Sequence, residues 1–314
     1  MSRGLKYLKI IVNCNQSKVF INQIQKNMKL KNVLIKKIIC LLFISSLAFT
    51  SCDIVEEPYR KDFVQQEPDT TKPKILLEEY TGFKCNNCPA GHSIAKQLAN
   101  LYPDRFFVVA IHYGNWAKPE NSGDKYRYDF RTQVGKDLSE FYGVIDAPRG
   151  IINRTRYNGE MILNTGSWDN AANDFWENNK TAEVKIELSA SYNPATRQIE
   201  ANVKLNYLSP QTHKNKVSVW ILEDSIINWQ LDKNSTPPDV PDYVHNNVLR
   251  ESFNGTWGDE VSATAIPKDF IFDKKYSYSL PSDSDWKLEN LKVIAFVYDD
   301  ANGIKQVERV KIQQ

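Results

Sequence analysis

The spacing of apolar residues changes along this chain, and each change marks a different kind of structure. Between Ile38 and Phe49 the residues are apolar apart from Ser45 and Ser46. From Lys74 to about residue 181, short continuous runs alternate with stretches of helical period. From Ala182 onward apolar and polar residues alternate one for one. In the middle part, Ile75-Leu76-Leu77 predicts a strand, and Ile94, Ala95, Leu98 and Leu101 fall on one face of a following helix. The unbroken run over 105–111 predicts a strand covered on both faces. Residues 134–142 predict a helix ended by Gly143 as its C-cap. Asn158-Gly159 reads as a hairpin turn, and Ser167-Trp168-Asp169 opens a closing helix through Trp176. In the last part, Val184, Ile186, Leu188 and Ala190 form one alternating strand, and Ile199, Ala201, Val203, Leu205 and Tyr207 a second. Val217, Val219 and Ile221 form a third. Later strands are read at 276–278, 291–297 and 307–312, the last two joined by a turn at 300–303.

Two segments fit neither period. Residues 114–128 are polar and aromatic and read as an insertion on the side of the chemistry-bearing loop. Residues 228–259 hold Trp229, Tyr243, His245, Phe253 and Trp257 among prolines and glycines, and are expected to be a long loop. Loops of this length in compact domains are usually functional or disordered, and Trp and Tyr dominate binding hot spots. The segment is expected either to contribute to partner binding or the interface between domains, or simply to fold its aromatics onto the sandwich or against the first domain.

A chain of 314 residues suits two domains, because single cores rarely grow past roughly 250–300 residues. Apolar content of 41% and charged content of 25% are those of a globular protein. The net charge of +2 hides an asymmetry: the first 51 residues hold nine Lys or Arg and no acid, leaving 31 basic against 38 acidic groups in the rest. An acidic body argues against nucleic acid as a partner.

The basic stretch places a charged region, Lys29, Lys31, Lys36 and Lys37, before an apolar run of about 12 residues, too short to span a bilayer and suited to a signal peptide. Met28 is the better start, and residues 1–51 form the signal region. The run ends Leu47-Ala48-Phe49-Thr50-Ser51-Cys52, which resembles a bacterial lipobox. That resemblance implies lipid on Cys52. The competing reading is a signal anchor with an incidental cysteine. Residues 52–73 carry Pro58, Pro68 and Pro73 and form a tether, reaching on the order of 25 Å as a coil and about 60 Å if polyproline-like. Cys14 and Cys40 leave with the signal, so Cys85 and Cys88 remain as one even pair.

That pair lies in Glu78-Glu79-Tyr80-Thr81-Gly82-Phe83-Lys84-Cys85-Asn86-Asn87-Cys88-Pro89-Ala90-Gly91-His92, a strand, a bend, Cys-x-x-Cys and a helix. Cys85 is expected at the helix N-terminus, where free N–H groups, the helix dipole and Lys84 would stabilise a thiolate, with Cys88 a turn inside. A catalytic role needs the Cys85 sulfur exposed. A second stretch, Phe141-Tyr142-Gly143-Val144-Ile145-Asp146-Ala147-Pro148-Arg149-Gly150, follows about sixty residues on. Together the two resemble the thioredoxin-like superfamily over roughly residues 74–181. The resemblance implies that Pro148 is a cis-proline facing the disulfide, and that the Ala147 backbone pairs with an incoming peptide. It also implies that Glu79 is the buried acid that moves protons to and from Cys88. Lys84 and Asn86-Asn87 depart from the thioredoxin pattern of an aromatic before the pair and Gly-Pro within it. Strand alternation lets only one of Glu78 and Glu79 point inward; the alternative places both at a solvated strand end. A metal set of Cys85, Cys88, His92 and His112 is disfavoured because Pro148 would fill the place of a further ligand. His92 then reads as a helix-surface residue and His112 as one at a strand end. Haem attachment needs His where Pro89 stands. No cofactor and no metal are expected.

The fold expected is an α/β thioredoxin-like domain (74–181) followed by an all-β immunoglobulin- or fibronectin-like sandwich (182–314). The lipobox, the Thr-Gly-x-x-Cys-x-x-Cys-Pro block, the sandwich and Tyr243-Val244-His245-Asn246-Asn247-Val248-Leu249-Arg250 also resemble the Omp-type, twenty-eight-kilodalton outer-membrane lipoprotein family of Bacteroidota. This implies a cell-envelope protein, lipid-anchored at the outer membrane. The function expected is thiol–disulfide exchange on protein thiols and disulfides, with Cys85 as nucleophile and Cys88 as resolving thiol. The alternative is a non-catalytic surface module whose disulfide is structural and whose sandwich binds a partner.

Overall fold

Lys74 is followed by seven residues that are all buried, and they form the first strand, β1 (Ile75–Thr81). The computed structural model describes residues 71–313. In chain order its elements are β1, α1 (Cys88–Leu101), β2 (Phe106–His112), α2 (Gln133–Tyr142), β3 (Arg149–Ile152) and α3 (Trp168–Asn178). Then follow β4 (Val184–Asn193), β5 (Gln198–Tyr207), β6 (Lys216–Glu223), β7 (Ile226–Leu231), β8 (Asp239–His245) and β9 (Val248–Ser252). The last are β10 (Asp259–Glu260), β11 (Ile271–Ser279), β12 (Leu291–Asp299) and β13 (Gly303–Lys311). The protein is mixed α/β, rich in strand, and to that level the hydrophobic pattern predicts it.

One sheet carries most of these strands, in the order β13-β12-β6-β9-β2-β1-β3, with β10 added to β6. β1 and β2 run parallel, and β3 returns antiparallel beside β1. β9 joins β2 in parallel at Ala110 and Val248, and the Ala110 N–H donates to the Asn247 carbonyl at 2.8 Å. Strands from both sides of residue 182 therefore belong to one sheet. A second sheet, β11-β5-β4, packs on the outer face of β6 and β12. Its Ile186, Ala201, Val203 and Leu205 meet Val219, Ile221, Val293 and Ala295 there. The other face of β6 and β12 presents Trp220, Leu222, Ile294 and Phe296 to a core shared with Leu76, Tyr80, Val109 and helix α2. Helices α1 and α3 cover the opposite face of β1 and β2, around Leu77, Val108 and Trp168.

The helix ends follow their sequence signals. Thr132 caps α2, its hydroxyl accepting from the Gly135 N–H, and Gly143 closes it at φ 70°. Asn158 and Gly159 make the turn expected of them, both at positive φ. Leu101 departs from its place on the buried face of α1 and is 64% exposed. The larger difference is at 228–259. What reads as a loop is strand: β7 and β8 pair as a hairpin, and β9 enters the main sheet. Its apolar residues are sparse and interrupted, so the period of two is hidden.

Both faces of β1 are covered, so both of its glutamates are buried, against the expectation that only one points inward. Glu78 faces the α2 side. There Arg154 meets it at 2.7 Å, both side chains almost wholly enclosed. A turn with Asn153 and Arg154 at positive φ aims the guanidinium there. Asn153 holds that turn: its side-chain oxygen accepts from the Leu76 N–H at 2.7 Å, and its amide donates to the Lys74 carbonyl. Removing one partner of a buried pair strands the other charge, at a cost of about 3–5 kcal/mol. Arg154→Ala is expected to lower the urea unfolding free energy by that amount. The double change Glu78→Leu with Arg154→Met should cost much less. A loss below about 1 kcal/mol for Arg154→Ala would show that Glu78 is not held as an enclosed ion.

Candidate functional site

The chain leaves β1 at Thr81, bends through Gly82 and returns as α1. Within the bend the Cys85 N–H donates to the Gly82 carbonyl at 3.0 Å, and the Cys88 N–H to the Cys85 carbonyl at 3.2 Å. Cys85 and Cys88 are joined in a disulfide with Cα atoms 5.4 Å apart, inside the normal range. Helix α1 starts at Cys88, and Pro89 occupies its first turn, where its fixed φ suits the helix and its missing N–H costs nothing. Cys85 thus precedes the helix by three residues, and Cys88 is the first helical residue rather than one a turn inside. Neither sulfur is open: Cys85 is 1% exposed and Cys88 wholly buried. The Lys84 ammonium is engaged by Glu120 at 2.7 Å in a partly exposed pair.

What lies over this bend is the β7–β8 hairpin. Gln230, itself fully buried, donates from Nε2 to the carbonyls of Cys85 (3.0 Å) and Gly82 (3.4 Å). The Leu231 N–H donates to the Phe83 carbonyl at 2.7 Å, and the Lys233 N–H to that of Asn86 at 3.1 Å. The 114–128 insertion and the residues just after it supply the seat. Tyr126 stacks on Phe83 with centroids 5.4 Å apart, and Phe130 and Trp229 complete the cluster.

Glu79, 2% exposed, lies on the α1 side of β1, against the first turn of that helix. Its Oε1 has no hydrogen-bond partner, and burial pushes its carboxyl from 4.5 to about 8. The same oxygen is 3.8 Å from His92 Nε2. A Cβ on Gly91 would come within 3.2 Å of it and within 3.0 Å of the Pro148 ring. Glu79, Pro148 and the first turn of α1 therefore meet at Gly91, where only glycine leaves room. The Ala147–Pro148 bond is cis, and both residues are half-buried. Asp146 anchors this loop: its carbonyl accepts from the Tyr113 hydroxyl at 2.8 Å, and its carboxylate takes the Arg149 fork at 2.6 Å.

His92 is not a surface residue. Its Nε2 shares a hydrogen bond with Thr81 Oγ1 at 2.8 Å, and its Nδ1 one with the Tyr243 hydroxyl at 2.7 Å. His112 and His245 lie alongside, buried, with ring centroids 5.5 Å apart. Burial lowers His92 to about 3 and His245 to about 4, and holds His112 well below its usual value. These groups line a cleft of about 760 Å³ between α1, β2 and β8. Among the described residues no group of three or more His, Cys, Asp or Glu could hold a metal ion, and no helix is long and apolar enough to cross a membrane. Tyr243 and His245 were visible in the sequence only as aromatics of a supposed loop. Gln230 carried no signal. Cys52, the signal region and nearly all of the tether lie outside the described residues.

The chain so described is a mixed α/β protein with a covered Cys-x-x-Cys disulfide and, against the helix that Cys88 opens, a buried carboxyl with one oxygen lacking a hydrogen bond. The family model of the outer membrane protein Omp28 matches residues 135–314, more than half of the sequence, and the chain belongs to that family. It is accordingly a cell-envelope protein of the outer membrane. The match includes Pro148 but begins after Glu79, Cys85 and Cys88. Among solved structures, HBP35 of Porphyromonas gingivalis shares the fold with a TM-score of 0.58 at 18% identity, over 77% of this chain and 76% of that one. A domain of the outer membrane lipoprotein Omp28 from Porphyromonas gingivalis is 29% identical over 42% of this chain and 89% of that one, with a TM-score of 0.29. No curated protein matches the sequence.

The buried acid gives a signed pH dependence. A carboxyl whose pKa is higher folded than unfolded holds more protons folded between the two values. Its stabilisation is full below about pH 4.5 and is lost as pH rises toward about 8. His92 and His245 act with opposite sign: lowered to about 3 and about 4, they make stability rise with pH up to their unfolded value of 6.5. Glu79→Gln isolates the carboxyl. The wild-type unfolding free energy minus that of the variant is expected to fall by roughly 4 to 5 kcal/mol between pH 4.5 and 8. A flat difference across that range would show an acid of ordinary pKa.

Proposed function

We propose that this protein is a cell-envelope lipoprotein whose Cys85–Cys88 pair exchanges disulfides with protein substrates, on a thioredoxin-like arrangement spanning residues 74–181. The layers of residues 182–314 are read as the accompanying immunoglobulin- or fibronectin-type sandwich. One observation carries the exchange reading: the Glu79 carboxyl, its Oε1 without a hydrogen-bond partner, enclosed against the first turn of the helix that Cys88 opens. A structural staple has no use for an acid whose ionised form is so penalised, whereas a pair that releases a thiolate needs a proton source with a pKa near neutral.

The exchange runs as follows. A substrate thiolate attacks Cys85 Sγ, the new sulfur–sulfur bond forms, and the Cys85–Cys88 bond breaks. Cys88 departs as a thiolate and takes the Glu79 proton. A second substrate thiolate then attacks the substrate sulfur of the mixed disulfide and frees Cys85. The substrate dithiol has lost two electrons and the pair has gained them; the reverse reaction runs through the same intermediate. Cys85 is the attacked and attacking sulfur because it faces the N-terminal end of α1, whose free N–H groups and dipole favour its thiolate. Pro148 and Ala147 shape the groove in which a peptide lies as an added strand. A second reading, a structural disulfide in a partner-binding module, draws support from the near-complete burial of Cys85.

Trapping separates the two. Cys88→Ser is expected to accumulate mixed disulfides with envelope proteins through Cys85, and Cys85→Ser almost none. Iodoacetamide labelling of the reduced protein against pH should give Cys85 a pKa below the free value of about 8.5. A value at or above it, with no trapped partner, would leave the structural disulfide standing. Lipid on Cys52 is tested by Cys52→Ala, which should move the protein from the membrane fraction to the soluble one. Retention after a carbonate wash would place the anchor elsewhere.

A further inference from the structure

The disulfide is closed to solvent, and the element that touches its loop comes from far along the chain. Attack on a sulfur requires an approach in line with the bond being broken, and Cys85 at 1% exposure offers none. The hairpin β7–β8 forms a two-stranded sheet of its own, so moving it breaks no ladder of the main sheet. Two-stranded hairpins are marginal by themselves, and this one is held by its seat. Leu231 and Trp229 pack in the cluster around Phe83, and Asp239 takes the Tyr126 hydroxyl at 2.5 Å and the Lys125 ammonium at 2.6 Å on a partly exposed rim. Its contact with the dithiol loop is half side chain, through Gln230, and half backbone. Leu231 at the end of β7 and Lys233 in the turn that follows donate their N–H groups to the carbonyls of residues 83 and 86, as a bound peptide backbone would.

We propose that the β7–β8 hairpin is a built-in occupant of the dithiol site that admits extended polypeptide segments and excludes small thiols. This deepens the exchange reading and rests on it for its substrates. A peptide strand can replace the two main-chain donors and fill the place of Leu231 with an apolar side chain, so the closed contacts are exchanged for equivalent ones. A small thiol replaces none of them and must wait for the hairpin to lift unaided. The substrate class is therefore an extended segment bearing a cysteine beside apolar residues.

The test uses the oxidised protein and two thiols, with rates compared per thiolate: 2-mercaptoethanol, and a synthetic nine-residue peptide with one cysteine flanked by alternating apolar residues. In each case the thiolate bonds to Cys85 Sγ and Cys88 leaves, and the mixed disulfide is counted by mass after acid quench. Gln230→Ala removes the side-chain donor to the loop. Asp239→Ala loosens the distant rim without touching the loop, and carries the comparison should Gln230→Ala fold poorly. Both variants are expected to react with 2-mercaptoethanol at least tenfold faster than wild type. The peptide's rate advantage over the small thiol should shrink by a similar factor, and protection of the Leu231 and Lys233 amides from hydrogen exchange should fall. Equal small-thiol rates in wild type and in folded variants would overturn the proposal. So would a peptide with no advantage in wild type. Failure of Cys88→Ser to trap partners, with the rate differences intact, would remove the exchange reading and keep the cover.

Discussion

Strand β1 is covered on both faces, and that one constraint decides the chemistry around it. A strand with helices α1 and α3 on one face and the α2-side core on the other has no solvated side to which a charged residue can turn, so Glu78 and Glu79 both enter the interior. The two are resolved in opposite ways. Glu78 meets a guanidinium that itself lies over the rings of Phe296 and Tyr298, at 5.0 and 4.6 Å, so charge, hydrogen bonds and aromatic faces compensate the lost water. Glu79 meets glycine, proline and an imidazole that burial keeps neutral. With no cation to hold its charge it keeps its proton at pH 7. Two adjacent residues of one type become a partner in a buried ion pair and an enclosed acid with a raised pKa because the fold gives them different neighbours.

The same sheet explains how much of this could be read from the sequence. Elements whose partners are local were legible: the unbroken apolar run of β2, the Gly143 cap, the Asn158-Gly159 turn and the helix opening at Trp168 all carry their signals within a few residues. The Cys85–Cys88 pair and the cis bond at Pro148 were expected and are present, though the degree to which the cysteines are enclosed was not foreseen. Elements whose partners are distant were not. Nothing near Glu78 announces Arg154, because the pairing depends on a left-handed turn that Asn153 holds by bonding to residues 74 and 76. Nothing in Gln230 announces the carbonyl of Cys85, 145 residues earlier. The hairpin was misread as a loop for a related reason. Its strands bury only part of one face, so Ile227 and Val244 stay exposed and the alternation that marks a buried strand is blurred.

That hairpin also ties the two ends of the site together. At one end Gln230 and Leu231 hold the backbone around the disulfide; at the other, Tyr243 bonds His92, which lies 3.8 Å from the unpaired Glu79 oxygen. The enclosure that keeps Cys85 from solvent and the enclosure that raises Glu79 are thus built partly from one element. Desolvation is the sole cause raising the acid, so its proton affinity depends on how completely that cleft is closed. The fold places the carbonyls of the dithiol loop, the neutral histidines and the acid under one hairpin hydrogen-bonded to no other sheet. The cover over the disulfide loop and part of the cover over the acid thus come from the two ends of one hairpin.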